Sequence, residues 1–141
     1  MRIVLDTNVV VSALVWGGTP YQLLQAAVDG DIELVTSPAL IDELRDVLSR
    51  SHLAPRLAAK QSSVTLAIDF YSQLAIHVSP LATPRVVLDD PDDDHVIACA
   101  VASNAARIVS GDSDLLRIGT HLHIDIVNPA EAVRRIAAAS Q

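Results

Sequence analysis

The stretch DDPDDDH, residues 89–95, crowds five aspartates against one histidine. Carboxylates that close repel, by roughly 4 kcal/mol for a pair about 4 Å apart at an effective dielectric near 20. Such a run is a solvated acidic loop, a helix start or a metal site. Other acids stand where they matter. Asp6 closes the apolar run RIVL, Glu43 lies inside ALIDELRDVLSR, and Asp112 and Asp114 follow RIVS. Fourteen of the 17 acids are aspartate, short and stiff enough to make a good ligand. Oxygen donors of this kind suit Mg²⁺ or Mn²⁺ rather than zinc. The single cysteine, Cys99, excludes both a disulfide framework and a multi-cysteine zinc site. A hard divalent cation activates water and stabilises the attacking and leaving oxygens of a phosphoryl transfer.

The elements that must position these acids follow from periodicity. RIVLD reads as a buried strand ending in Asp6, and NVVVSALVW as a helix closed by Gly17-Gly18. A second helix runs from about Pro20 to Asp29, and IELVTS is the next strand. Ser37 and Pro38 open a helix through ALIDELRDVLSR, as cap and first-turn residue. One longer helical stretch is expected from about Pro55 to Gln73, then a short strand in LAIHVS, a linker over Pro80 to Pro84, and a strand or extended lead-in at RVVLD. HVIACAVASNAA reads as a helix buried on most sides, RIVSGD as strand and turn, SDLLRIG as a short helix and IDIVN as a final strand, with Pro129 opening a C-terminal helix. Strands alternating with helices imply an α/β fold, a three-layer α/β/α arrangement around a mostly parallel sheet. A chain of 141 residues without repeats or a visible boundary reads as one domain, residues 1–141. In such sheets ligands bind beyond the carboxyl ends of the strands.

Asp6, Asp112 and Asp114 are placed at those ends. Asp6 would serve equally well as the cap of the following helix. Glu43 borders the apolar stripe Leu40, Ile41, Leu44, Val47 and Leu48, so its carboxylate can lean over the sheet edge, whereas Asp42 and Asp46 point to solvent. Within the acidic run, Asp90 and Pro91 make the best helix start. Asp92 and Asp93 suit the first-turn dipole and face mostly away. Asp94 shares the expected core-facing stripe with Ile97, Ala98, Val101 and Ala105, a costly position for a carboxylate unless something pairs with it. The expected site is therefore Asp6, Glu43, Asp94 and Asp112, with Asp114 close behind. The net charge of −7 argues against non-specific nucleic-acid binding, but bound cations would answer that objection.

The pieces VLDTNVVVSAL, SPALIDELRDVL, DDPDDDHVIACAVASNAARIVSGDSDLL and IDIVNPAEAV occur in an order that resembles the PIN domain (PilT N-terminus) family, and in particular bacterial toxin components related to VapC-like toxins. The resemblance covers nearly the whole chain. It implies a PIN-like, Rossmann-like fold and a metal-dependent ribonuclease. The strand-end acid would be Asp6, the helix acid Glu43, the third acid Asp94 and the fourth Asp112, with Asp114 as an accessory acid. Mg²⁺ or Mn²⁺, RNA cleavage by metal-activated water, a cognate antitoxin and a homodimer are further implications. Asp6, Asp94 and Asp112 would hold metal, Glu43 would bind metal or orient the attacking water, and Asn8 and Ser110 would support them or touch phosphate.

Other classes fare less well. A haloacid dehalogenase-type phosphatase needs an acid two residues after Asp6, where Asn8 stands. A receiver domain needs a late lysine, but the sole lysine is Lys60, in an expected helix. A PIN-fold binding module, held by an antitoxin or RNA with little or no cleavage, is the main alternative. His121 and His123 read as a turn and strand edge, His95 as an exposed helix position, and Cys99 as a small core residue. No apolar run is long enough to cross a bilayer and the first residues do not form a secretion signal, so the expected location is cytoplasmic.

Overall fold

The computed structural model describes residues 1–81 and 91–139. The expected lead-in strand at 85–89, the Asp90 cap and the side chain of Asp92 lie outside the described residues. Within them the chain runs β1 (Arg2–Leu5), α1 (Thr7–Val15), α2 (Gly18–Val28), β2 (Glu33–Thr36), α3 (Pro38–Leu48), α4 (Ala54–Ala59), α5 (Val64–Leu74) and β3 (Ile76–His77). It continues through α6 (Pro91–Ser103), β4 (Arg107–Val109), α7 (Ser113–Ile118), β5 (Thr120–His121), β6 (Ile124–Val127) and α8 (Pro129–Ala139). The strands join one sheet in the order β3-β2-β1-β4-β6-β5. All pairings are parallel except β5 with β6. The expected α/β fold with a mostly parallel sheet is what forms.

The central strands are aliphatic on both faces because helices cover both faces. Val4 pairs with Val35 on one side and Ile108 on the other, and Ile108 pairs with Ile126. One core cluster gathers Ile3, Leu34, Leu44 and Leu48 with α1, α2 and α8. The other packs Val4, Val35 and Ile108 against Val96, Ile97 and Ala100 of α6. Leu44 and Leu48 are buried to the last atom or nearly so, and truncating either to alanine costs about 2–5 kcal/mol.

Helix starts follow the expected chemistry. Ser37 adopts an extended backbone before α3 and its Oγ accepts from the Leu40 N–H at 3.4 Å, with Pro38 in the first turn. Gly17 separates α1 from α2 at φ 79°, a conformation that penalises side chains.

Two expectations about the helices need correction. The single helix from about Pro55 to Gln73 is two helices. The chain turns at Gln61, with φ 59°, and Ser63 starts α5 afresh by accepting the Leu66 N–H at 3.1 Å. Ser62-Ser63 is the signal: serine hydroxyls compete for backbone N–H groups and favour caps over helix interiors. THLHID is turn and strand edge as expected: His121 lies in the two-residue edge strand β5, antiparallel to β6, and His123 in the turn between them. On α6, Val101 is not in the buried stripe but 40% exposed.

Candidate metal centre

β1 and β4 are parallel neighbours, with Leu5 opposite Val109. Their carboxyl ends therefore deliver Asp6 and Ser110 side by side. The Asp6 N–H donates to the Val109 carbonyl at 2.9 Å, which prolongs the ladder by one residue. Asp6 occupies the N-cap position of α1, yet its side chain makes no capping hydrogen bond. Instead the Ser110 hydroxyl donates to Asp6 Oδ2 at 2.8 Å. The same Ser110 Oγ accepts the Asp112 N–H at 2.9 Å. Asp112 Oδ1 in turn accepts the Asp114 N–H at 2.8 Å and caps α7. One serine thus fixes both the carboxylate of Asp6 and the backbone that carries Asp112.

α6 starts over this edge. Asp93, Val96, Ile97, Ala100 and Ser103 are all buried, at the spacing of one helical face. Asp93, 3% exposed, heads that face. Carboxylate oxygens of Asp6, Asp93 and Asp112 lie within 4.8 Å of one another. The expectation that Asp93 faces away is therefore wrong. The face turned toward the sheet is rotated by one residue, about 100°, from the stripe through Asp94 and Val101. The sequence signal misled because alanines and valine make the helix apolar nearly all round, so that either rotation buries aliphatic surface. Asp94, 1% exposed, is buried as expected but lies outside the close triad.

The remaining acids sit farther out. Glu43 is half-buried on α3 and is not one of the three close carboxylates. Asp114 is half-buried, with Oδ1 3.3 Å from the Arg117 guanidinium. Asn8 is exposed in the first turn of α1. His95 is half-buried rather than exposed. Cys99 is fully buried in the core under α6, and burial pushes its thiol up to about 12.

Three carboxylates within 4.8 Å of one another repel by about 3 kcal/mol per pair at an effective dielectric near 20. The donor set fits a hard divalent cation, because all donors are oxygens and two of the residues are buried while Asp112 keeps one side open. Asp6, Asp93 and Asp112 would hold it.

A PIN domain model matches residues 2–114, which spans all three close acids and Glu43. The chain belongs to the PIN domain family. Among curated proteins no sequence matches it. Among solved structures, a chain from the crystal structure of VapBC2 from Rickettsia felis, bound to a DNA fragment from their promoter, is similar in fold. Its TM-score is 0.64 at 20% identity, covering 91% of this PIN domain protein and 98% of that chain. No helix among the described residues is long and apolar enough to cross a membrane.

Proposed function

We propose that this PIN domain protein is a Mg²⁺- or Mn²⁺-dependent endoribonuclease, the toxin component of a toxin–antitoxin pair. The observation that carries the reading is the close triad of buried Asp6 and Asp93 with half-buried Asp112 at the carboxyl ends of β1 and β4. Carboxylates gathered this closely can share a hard divalent cation, and such a cation supports phosphodiester chemistry. The bound cation would lower the pKa of water and offset charge on the phosphate.

The chain's own groups then have distinct tasks. Ser110 fixes the Asp6 carboxylate by donating to its Oδ2 and so would orient it toward the cation. Asp112 is fixed by its cap on α7. Glu43, half-buried on the neighbouring helix, orients the attacking water or binds metal. Asp94 and Asp114 add negative potential as accessory acids, and Asn8, exposed beside Asp6, contacts phosphate. A cognate antitoxin, a homodimer and a cytoplasmic location belong to the same proposal. The VapBC2 structure, a complex of related fold, supports the antitoxin partner.

The test is incubation of purified protein with total RNA in Mn²⁺, with cleavage ends mapped. Wild type should cut, whereas EDTA and Asp93→Asn should each abolish cutting. RNA binding and antitoxin capture without metal-dependent ends would instead establish a PIN-fold binding module.

A further inference from the structure

A second polar–apolar recess lies on the same sheet edge as the acidic triad. It is a cavity of about 210 Å³ lined by Ser37, Pro38, Ala39, Ser79, Pro80 and His95. Ser37 and Pro38 leave the carboxyl end of β2, and Ser79 and Pro80 follow the end of β3. These strands are neighbours, with Thr36 opposite His77. His95 closes the recess from α6, two residues beyond Asp93. In the sheet order β2 lies directly beside β1, which carries Asp6. Strands are spaced about 4.8 Å apart, so the recess stands one to two spacings, about 5–10 Å, from the triad. That is the distance from a phosphate to its own or an adjoining base.

The lining states what fits. Among the described residues that line it, none is an aspartate, glutamate, lysine or arginine. Two prolines and an alanine offer flat apolar walls. The Ser79 hydroxyl and the His95 ring supply polar edges, and no described residue hydrogen-bonds the half-buried His95 ring. Ser37 is committed to the cap of α3 and buried. A planar, uncharged heterocycle with hydrogen-bonding edges matches this set, since nucleobases combine an apolar face with polar edges.

We propose that this recess receives one nucleobase of single-stranded RNA beside the scissile phosphate, with His95 as its stacking or edge-reading residue. The proposal rests on the nucleolytic reading for the direction of the strand. It adds what that reading lacks, a contact able to distinguish one base from another.

The experiment is fluorescence anisotropy with short oligoribonucleotides in Ca²⁺, alongside end mapping in Mn²⁺. His95→Ala removes one wall, and Ala39→Phe fills the recess from a half-buried helical position. Both variants should weaken binding of the preferred oligonucleotide by about tenfold and flatten base preference at one position next to the cut. Terbium binding at the triad and the thermal midpoint should stay at wild-type values. An oligonucleotide abasic at that position should bind wild type and both variants alike. The proposal is overturned if folded, terbium-binding variants keep wild-type affinity and preference, or if wild type binds the abasic oligonucleotide as tightly as the intact one. Base-selective binding without any cleavage would sink the nuclease reading and leave the subsite standing.

Discussion

Ser110 and Asp6, 104 residues apart in sequence, share a buried hydrogen bond of 2.8 Å between the carboxyl ends of adjacent parallel strands. Because the same hydroxyl oxygen accepts the Asp112 N–H, the serine couples two acids of the triad. Removing it leaves Asp6 able to turn and the β4–α7 turn less fixed. Ser110→Ala should therefore keep the fold but weaken Mn²⁺ affinity by about 10–100-fold, the usual cost of losing a group that orients a metal ligand. Calorimetric titration with Mn²⁺ checks this. Wild-type affinity in the alanine variant would mean that Ser110 does not orient the site.

Asp93 and Asp94 are adjacent and both buried, but only Asp93 shares the close group with Asp6 and Asp112. Asp93→Asn should lose metal binding and RNA cleavage together, with a fall of about a hundredfold or more in rate. Asp94→Asn should retain measurable Mn²⁺ binding. Parallel rate measurements over a range of Mn²⁺ concentrations separate the two. The reverse ranking would place the third metal ligand at Asp94 and require α6 to be rotated in the metal-bound protein.

This pair also marks how far the sequence could be read. Alternation of strands and helices, the Ser37 cap and strand ends at Asp6 and Asp112 are local signals, and the structure follows them. Ser110 at the end of its strand was visible for the same reason. The rotation of α6 was not visible. Val96, Ile97, Ala98, Cys99, Ala100, Val101 and Ala102 give no polar face, so the periodicity that locates a buried face is nearly absent. The break between α4 and α5 depended on whether Ser62-Ser63 would cap or continue a helix, which packing decides more than propensity. The recess at His95 draws on three separated segments and has no signature along the chain.

The triad also makes fold stability depend on cations. Bringing three carboxylate oxygens within 4.8 Å opposes folding, and an ion that binds only the folded chain reverses this. At a concentration a hundredfold above its Kd, Mn²⁺ should add about 2.7 kcal/mol of stability. For a domain of this size that is a rise in Tm of about 5–15 °C. Differential scanning calorimetry with Mn²⁺ and with EDTA reads the shift. Asp93→Asn, which lacks one carboxylate of the triad, should gain little from Mn²⁺ over EDTA. An equal Mn²⁺ gain in both proteins would place the stabilising ion elsewhere.

At the far end of the chain, α8 is held by charge. Glu131 accepts from the Arg135 guanidinium at 2.9 Å and also pairs with Arg134, while Arg135 reaches Asp125 on β6 at 3.2 Å. The hydrogen bond from Arg135 holds the Glu131 carboxyl below the ordinary glutamate range. A carboxyl whose folded pKa is depressed contributes stability that is fully present above its unfolded pKa, near 4.3, and that fades as pH falls through the lower folded value. The Glu131 contribution should thus be constant from neutral pH down to about 5 and fade once pH drops below the unfolded value, near 4.3. The pair is solvent-screened, so the effect is local: fraying of α8 rather than global unfolding. Amide hydrogen exchange across residues 129–139 at pH 6 and at pH 3.5 should show protection falling in wild type. Glu131→Gln, which cannot ionise, should show weaker protection at pH 6 and a smaller change on acidification. Identical pH responses in the two proteins would mean that the ion pairs do not hold α8.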